Sequence, residues 1–251
     1  MTDPSDRLPP AFYAAPNATN RSARADWWVV MHPPYTLWHL SYVAIGAALA
    51  PTLNGGRLAA TLIAFLLAVG VGAHALDELH GRPLGTAIPS SVLVAAAIAS
   101  LSAAVTLGII GVARVGPGLV IFIAAGVLLD ISYNLELFNG ALHNDATFSI
   151  AWGAFPVLTS YYAQAEMMRP VALLAATAAY FLSAAQRSLS TPARTLRRRI
   201  DSVDGTFTHT DGRTSSLTKQ LLLAPLEDAL KAMTIGIVTL AVTLVVLRAT
   251  T

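Results

Sequence analysis

The residues best able to carry chemistry lie in the sequence G-A-H-A-L-D-E-L-H-G-R-P-L-G-T-A-I-P, residues 72–89. His74, Asp77, Glu78 and Arg82 follow directly on a long apolar run. On a helix His74, Asp77 and Glu78 share one face, since they are spaced i, i+3, i+4. Ionisable side chains at the edge of a membrane segment are costly to desolvate and by default indicate function. We expect His74 with Glu78 to hold a divalent metal; the alternative is a solvated helix end.

A second group follows in L-L-D-I-S-Y-N-L-E-L-F-N-G-A-L-H-N-D, residues 128–145. On a helix Asp130 and Asn134 share one face, and Tyr133 and Glu136 share another. Asp130 falls inside an apolar run, where a carboxyl is expensive unless it is paired or faces a cavity. The pattern favours functional roles for Asp130 and Glu136.

Two further histidines are candidates for the same site. His143 follows Asn139-Gly140, a helix stop, and is predicted either to return to the site or to belong to a plain polar loop. His39 lies about one helical turn inside the first apolar run. It either joins His74 in a cavity or bonds a neighbouring backbone group.

The elements that must position these residues are membrane helices. Of the 251 residues 55% are hydrophobic and 12% are charged, whereas soluble domains carry about 25% charged residues. A span needs roughly 20 apolar residues, and spanning segments must be helical to satisfy their backbone groups. The sequence predicts an all-α, polytopic membrane bundle forming a single domain, residues 31–251, with about seven transmembrane helices. The apolar runs are 35–51, 57–76, 91–113, 117–135, 147–164, 170–186 and 228–248.

The segments outside these runs predict the topology. Residues 1–30 are polar and are expected to form a flexible cytoplasmic tail. The basic segment 188–227 is also placed in the cytoplasm, because positive residues stay on that side. A cell-membrane protein with a cytoplasmic N-terminus and an external C-terminus follows. Ser190-Thr191-Pro192 predicts a separate helix start. Turn signals at Val203-Asp204-Gly205 and Thr210-Asp211-Gly212, on either side of the alternating T-F-T-H-T, predict a small hairpin.

Composition excludes several classes of function. The absence of cysteine excludes disulfides, thiolate metal sites and a cysteine nucleophile. A formal net charge of +2 gives no indication of nucleic-acid binding. The expected partner is a membrane lipid or an isoprenoid substrate, and no pattern indicates a particular oligomeric state.

The N-terminal two-thirds of the chain resembles the UbiA-type intramembrane prenyltransferase superfamily. M-H-P-P-Y-T, residues 31–36, is similar to the start of the family's first helix, and R-P-L, residues 82–84, to the segment after its first aspartate-rich motif. With His74 at the motif's asparagine, Glu78 stands at its second aspartate. The chain departs from the family at the second motif, where T-L-R-R-R-I-D-S-V-D carries only two aspartates.

The resemblance implies a UbiA-like enzyme that performs prenyl transfer or related diphosphate chemistry in a cytoplasm-facing site, with Mg²⁺ as the metal. Two alternatives stay open: a His/carboxylate centre holding Fe, Mn or Zn for redox or hydrolytic lipid chemistry, and a non-catalytic lipid-binding protein. The residues assigned to the site are given by role. The catalytic candidates are Asp77, Glu78, Asp130 and Glu136. The substrate-binding candidates are Arg82, Asn134, His39 and Tyr133. The metal-binding candidates are His74, Glu78, Glu136 and His143.

Overall fold

The structure is a computed structural model that describes Phe12 and residues 22–250. In that part of the chain eight helices and one β-hairpin follow one another, with a single 3₁₀ turn at Phe138–Gly140. The elements are α1 (Ala23–Met31), α2 (Pro33–Ala48), α3 (Gly55–Leu79), α4 (Ser90–Val115), α5 (Leu119–Asn134), α6 (145–165), α7 (Pro170–Arg198), β1 (Asp204–Thr208), β2 (Thr214–Thr218) and α8 (Lys219–Thr250).

The prediction of a helical fold is confirmed. Each apolar run of the sequence lies mostly within one of the helices α2 to α8. Among the described residues, three helices are both long and apolar enough to cross a membrane, namely α3, α4 and α8, and α5 is a shorter apolar helix. The count of seven spans stays a prediction.

The predicted cytoplasmic tail falls mostly outside the described residues, which begin, apart from Phe12, at residue 22. Its last part, residues 23–30, belongs to α1. Ser22 caps this helix by accepting a hydrogen bond from Ala25 N, and Asp26 and Val30 are buried. The sequence reading missed α1 because the helix is short and its mixed composition shows no strong apolar periodicity.

The predicted helix start at Ser190-Thr191-Pro192 is wrong. Helix α7 runs without a break from residue 170 to residue 198, with Pro192 inside it. Proline normally costs a helix one hydrogen bond, but Ala193 and Leu196 beyond it are buried against α8 residues. Burial of this apolar face therefore outweighs the cost of the proline, and the helix continues beyond it.

The predicted hairpin is confirmed. Strands β1 and β2 are antiparallel, with Phe207 opposite Ser215. The turn between them contains Asp211-Gly212, and Gly212 has a φ of 85°, a conformation that glycine adopts without strain. The turn at Asp211-Gly212 lies where the sequence predicts it, whereas Asp204 and Gly205, predicted to form a second turn, belong to β1.

Helix α2 is central in the bundle and packs against both α6 and α8. Trp38 and Tyr42 of α2 are almost fully buried against Val157 of α6 and Ile237 of α8. The indole Nε1 of Trp38 donates to the Tyr42 hydroxyl over 2.7 Å. Gly46 lets α2 approach α6 closely, because a Cβ there would meet the carbonyl oxygen of Val157.

Two of the helices, α3 and α6, each contain a π-helical segment, and both segments contribute residues to one hydrophobic cluster. Leu66–Ala73 lies within α3, and Ile150–Ala154 lies within α6. Ala73 and Trp152 from these segments pack with Tyr133 of α5 and Phe148 of α6. Such segments widen a helix and release backbone carbonyls for other partners, and they occur often at functional sites.

The contact at Gly46 gives a test of the packing. Gly46→Ala should lower the free energy of unfolding by about 1–3 kcal/mol, because the added methyl forces α2 and α6 apart. The matched control is Gly236→Ala in α8, where a Cβ meets nothing within 4 Å. Alanine there should stabilise the helix by up to about 1 kcal/mol. Thermal unfolding of the purified protein measures both, and equal effects of the two variants would contradict this packing.

Candidate functional site

Charged and polar side chains from four parts of the chain meet at one end of the bundle. They come from the start of α2, the C-terminal part of α3, the segment after α5 and the C-terminal part of α7. We call this group the polar cluster and define it as His32, His74, Asp77, Glu136, His143 and Arg194.

Asp77 is the carboxylate that links the parts of the polar cluster. It is exposed at the surface of α3 and lies within electrostatic range of His74, Arg194 and His143. An acid flanked by two histidines and an arginine can bind a cation while the arginine binds an anion. Among the predicted catalytic carboxylates, Asp77 has the surroundings that best fit chemistry.

His32 and His74 form the inner side of the cluster. Their rings are stacked with centroids 6.3 Å apart, and the ring of Tyr35 lies 5.7 Å from each. Burial, helped by the nearby charges of His74 and Arg194, lowers the pKa of His32 to about 3. His32 is therefore neutral at physiological pH and adds no charge to the cluster.

Glu136 and His143 form the outer side. Glu136 lies 3.7 Å from His80 Nε2 and 3.8 Å from His143 Nδ1. Three residues in this connection, Glu136, Phe138 and Asn139, have positive φ angles. Left-handed backbone is unfavourable for such residues, so the strained turn that brings Glu136 to the histidines is held by surrounding contacts.

Three histidines present the same nitrogen to backbone carbonyls. Nδ1 of His39 donates to Trp152 O over 2.6 Å, and Nδ1 of His143 donates to Tyr133 O over 3.0 Å. Nδ1 of His74 makes a longer contact of 3.3 Å with Gly70 O. A carbonyl can only accept, so each Nδ1 carries a proton, and in the neutral form of such a ring Nε2 holds the lone pair. That is how proton-accepting and metal-binding histidines are usually oriented.

Glu78 was predicted to bind a metal together with His74, but its side chain points into the protein and not into the polar cluster. Its side chain is fully buried. Oε2 accepts from Leu84 N over 2.9 Å, and Oε1 accepts from Thr86 N and Thr86 Oγ1 over 2.9 and 2.8 Å. Both carboxylate oxygens thus accept hydrogen bonds from the segment that follows α3. Glu78 has a structural role there, and it is not the solvated helix end that was the alternative to metal binding.

Arg82 also holds this segment. Its guanidinium donates to Ile88 O over 2.7 Å and to Ser90 Oγ over 2.6 Å. Asp26 of α1 accepts from Ala87 N over 2.9 Å. The charged residues around R-P-L therefore build the connection between α3 and α4, and the structure does not bring Arg82 into the polar cluster.

Asp130 and Asn134 lie on one helix face as predicted. Asn134 Nδ2 donates to Asp130 Oδ1 over 2.9 Å and to Asp130 O over 2.8 Å. Asp130 lines a cavity of about 540 Å³ between α3, α4, α5 and α6. Trp152 also lines this cavity, and its ring packs at 4.5 Å from that of Tyr133, whose ring stacks on His143 at 4.4 Å. An aromatic wall, Tyr133, Phe148 and Trp152, therefore stands between the cavity and the polar cluster.

His39 lies deep in the bundle, with its ring 4.2 Å from that of Tyr35. Its Nε2 is buried without a hydrogen-bond partner in the described chain. The structure thus brings His39 close to the inner side of the polar cluster through Tyr35, rather than into direct contact with His74.

The sequence reading missed the arginines of α7. Arg187, Arg194 and Arg198 are spaced i, i+7, i+11 and share one helix face. Arg187 pairs with Asp145 over 2.9 Å and lies 4.8 Å from the centre of the Phe148 ring. In the sequence, Arg197 to Arg199 indicate mainly topology, with diphosphate recognition as the minor alternative, although the spacing of the three arginines along α7 would have identified their common face. Arg197 faces another way and pairs with Glu227.

The metal set predicted from the sequence is only partly assembled. Glu136 and His143 are neighbours, His74 lies on the other side of Asp77, and Glu78 is engaged elsewhere. Within the described residues no group of three or more acidic or histidine side chains has the arrangement of a metal site. Asp77 still fits a hard cation, because Mg²⁺ commonly takes one or two carboxylates together with substrate phosphate.

Comparison of the chain with protein-family models, curated proteins and solved structures gave no match.

Glu78→Gln tests the structural role of Glu78. Glutamine offers an amide nitrogen where Leu84 or Thr86 donates, so we expect a loss of about 2 kcal/mol in the free energy of unfolding. The Tm should fall by roughly 4–8 °C. The exposed Asp228→Asn in α8 is the control and should leave the Tm unchanged. An unchanged Tm for Glu78→Gln would contradict the structural role and leave Glu78 a candidate metal ligand.

Proposed function

We propose that this chain is a membrane enzyme of the UbiA-like type that acts on an isoprenoid diphosphate or a similar lipid-soluble phosphate. The observation that carries the proposal is the position of Asp77. Its exposed carboxylate lies at the end of a membrane-length helix, within electrostatic range of Arg194, His74 and His143. Groups of both charges in one place suit a phosphate head with its counter-cation.

The surface of the bundle supports a membrane location. Three helices have the length and hydropathy of spans. Large apolar side chains are exposed along several helices, far more than single scattered residues would explain on a soluble protein. Examples are Ile98, Ile109, Ile121, Leu174 and Val242. We propose a cell-membrane protein whose polar cluster faces the cytoplasm, because the basic residues after α7 favour that side.

Each residue of the polar cluster has a proposed task. Arg194 binds phosphate oxygens, and Arg198, on the same face of α7, assists it. A Mg²⁺ ion held by Asp77 and the phosphates would supply charge neutralisation for a departing diphosphate. His74 and His143 accept or donate a proton at Nε2, since their Nδ1 atoms are held by carbonyls.

Diphosphate release from farnesyl and geranylgeranyl diphosphate, with Mg²⁺ and the purified full chain, tests the proposal. Asp77→Asn and Arg194→Gln should each lower the rate by about 10²-fold, the usual cost of removing one electrostatic contact to a reacting group. The matched controls are Asp228→Asn and Arg199→Gln, which remove the same charges from exposed positions on α8 and directly after α7. Both controls should keep the rate.

Three outcomes would contradict this function. The first is no release from any prenyl diphosphate by folded protein. The second is a stoichiometric transition metal that is lost in His143→Ala and Glu136→Ala, which would favour the metal-centre alternative. The third is a copurifying lipid that is never turned over, which would favour a lipid-binding protein.

A further inference from the structure

We infer that the cavity between α3, α4, α5 and α6 is a binding site for an uncharged long-chain alcohol, whose hydroxyl bonds to Asp130. This site is distinct from the polar cluster and does not depend on the function proposed for it. The inference rests on one buried carboxyl with a free oxygen and on the apolar walls around it.

Asp130 has one oxygen without a partner. Oδ1 accepts from Asn134, but Oδ2 has no hydrogen-bond partner in the described chain, although the side chain is 92% buried. An unpaired carboxyl oxygen away from water is costly, and ionisable residues kept at such positions commonly bind a ligand. The free oxygen belongs to a residue that lines the cavity.

The cavity has the size and walls of a lipid site. Its volume of about 540 Å³ lies within the range of ligand pockets, about 300–1,000 Å³. Around Asp130 the lining is apolar, with Val127, Leu129 and Phe155 among its residues. Along α5 the lining extends from Leu119 to Asp130, roughly 17 Å at the rise of an α-helix. An extended hydrocarbon chain can lie along α5 with its polar end at Asp130.

The chemistry of the polar end follows from the carboxyl. A hydroxyl both donates and accepts, so it complements Asp130 with or without its proton. An ammonium complements only the ionised form, and a phosphate is repelled by that form. The arginines that line the cavity, Arg57 and Arg114, lie at its opposite end, and Arg57 is paired with Glu166 over 2.7 Å.

Binding of radiolabelled tetradecanol to the full chain in lipid nanodiscs, with empty nanodiscs as blank, tests the inference. We expect saturable binding of one molecule per chain. Pentadecane has the same length but can neither donate nor accept, and it should bind about tenfold more weakly, as for the loss of one hydrogen bond to a carboxyl.

Asp130→Leu is the diagnostic variant, because leucine is similar in size and removes the carboxyl. It should bind the alcohol and the alkane equally, and about tenfold more weakly than the native chain binds the alcohol. Two controls should stay within threefold of native affinity. Thr159→Val removes another hydroxyl from the cavity wall, and Ser132→Ala removes a buried hydroxyl of α5 that does not line the cavity.

Several results would overturn the inference. Equal binding of alcohol and alkane by the native chain would contradict the role of Asp130, and this comparison stands even if Asp130→Leu fails to fold. Tighter binding of tetradecylamine or tetradecyl phosphate than of tetradecanol would assign a charged ligand instead. Absence of saturable binding would leave only water in the cavity. None of these measurements involves diphosphate or Mg²⁺, so their failure is separate from that of the proposed function.

Discussion

The buried carboxylate of Glu78 is the interaction on which the polar end of the bundle depends. It accepts three hydrogen bonds from Leu84 and Thr86, and these hold the connection between α3 and α4 next to the C-terminal end of α3. Successive residues of a helix point roughly 100° apart, so with Glu78 turned inwards its neighbour Asp77 is turned outwards. One acid is used to build the connection, and this leaves the other exposed beside Arg194 and the histidines.

The two π segments set the second constraint. They lie in α3 and α6, and they pack against the same side of α5 around Tyr133. Trp152 belongs to the segment in α6. Its carbonyl oxygen accepts from His39, its ring packs against that of Tyr133, and the residue lines the cavity. The aromatic wall that results separates two regions that differ in polarity, although Tyr133 of the wall lies within one helical turn of Asp130.

Much of the fold could be predicted from the sequence, because apolar run length and turn chemistry are local signals. The helices α2 to α8, the hairpin at Asp211-Gly212 and the Asp130–Asn134 pair all follow from such signals. The roles of Glu78 and Arg82 could not be predicted, since their partners lie in a connection whose path depends on tertiary packing. The helix start predicted at Pro192 was wrong for a similar reason, because burial of Ala193 and Leu196 outweighs the local cost of proline.

The division of charges between the two regions decides what each can bind. In the polar cluster, acids, histidines and arginines lie together near the surface, where several charges can be neutralised at once and a multiply charged head is tolerated. In the cavity, Asp130 has a single amide partner and mostly apolar walls around it, so a charged head group placed beside Asp130 would lose most of its hydration with few groups to replace it. A hydrocarbon chain with one neutral polar atom satisfies the free oxygen and fills the space at the least cost. The aromatic wall therefore separates two kinds of ligand chemistry, one for charged head groups and one for neutral lipid.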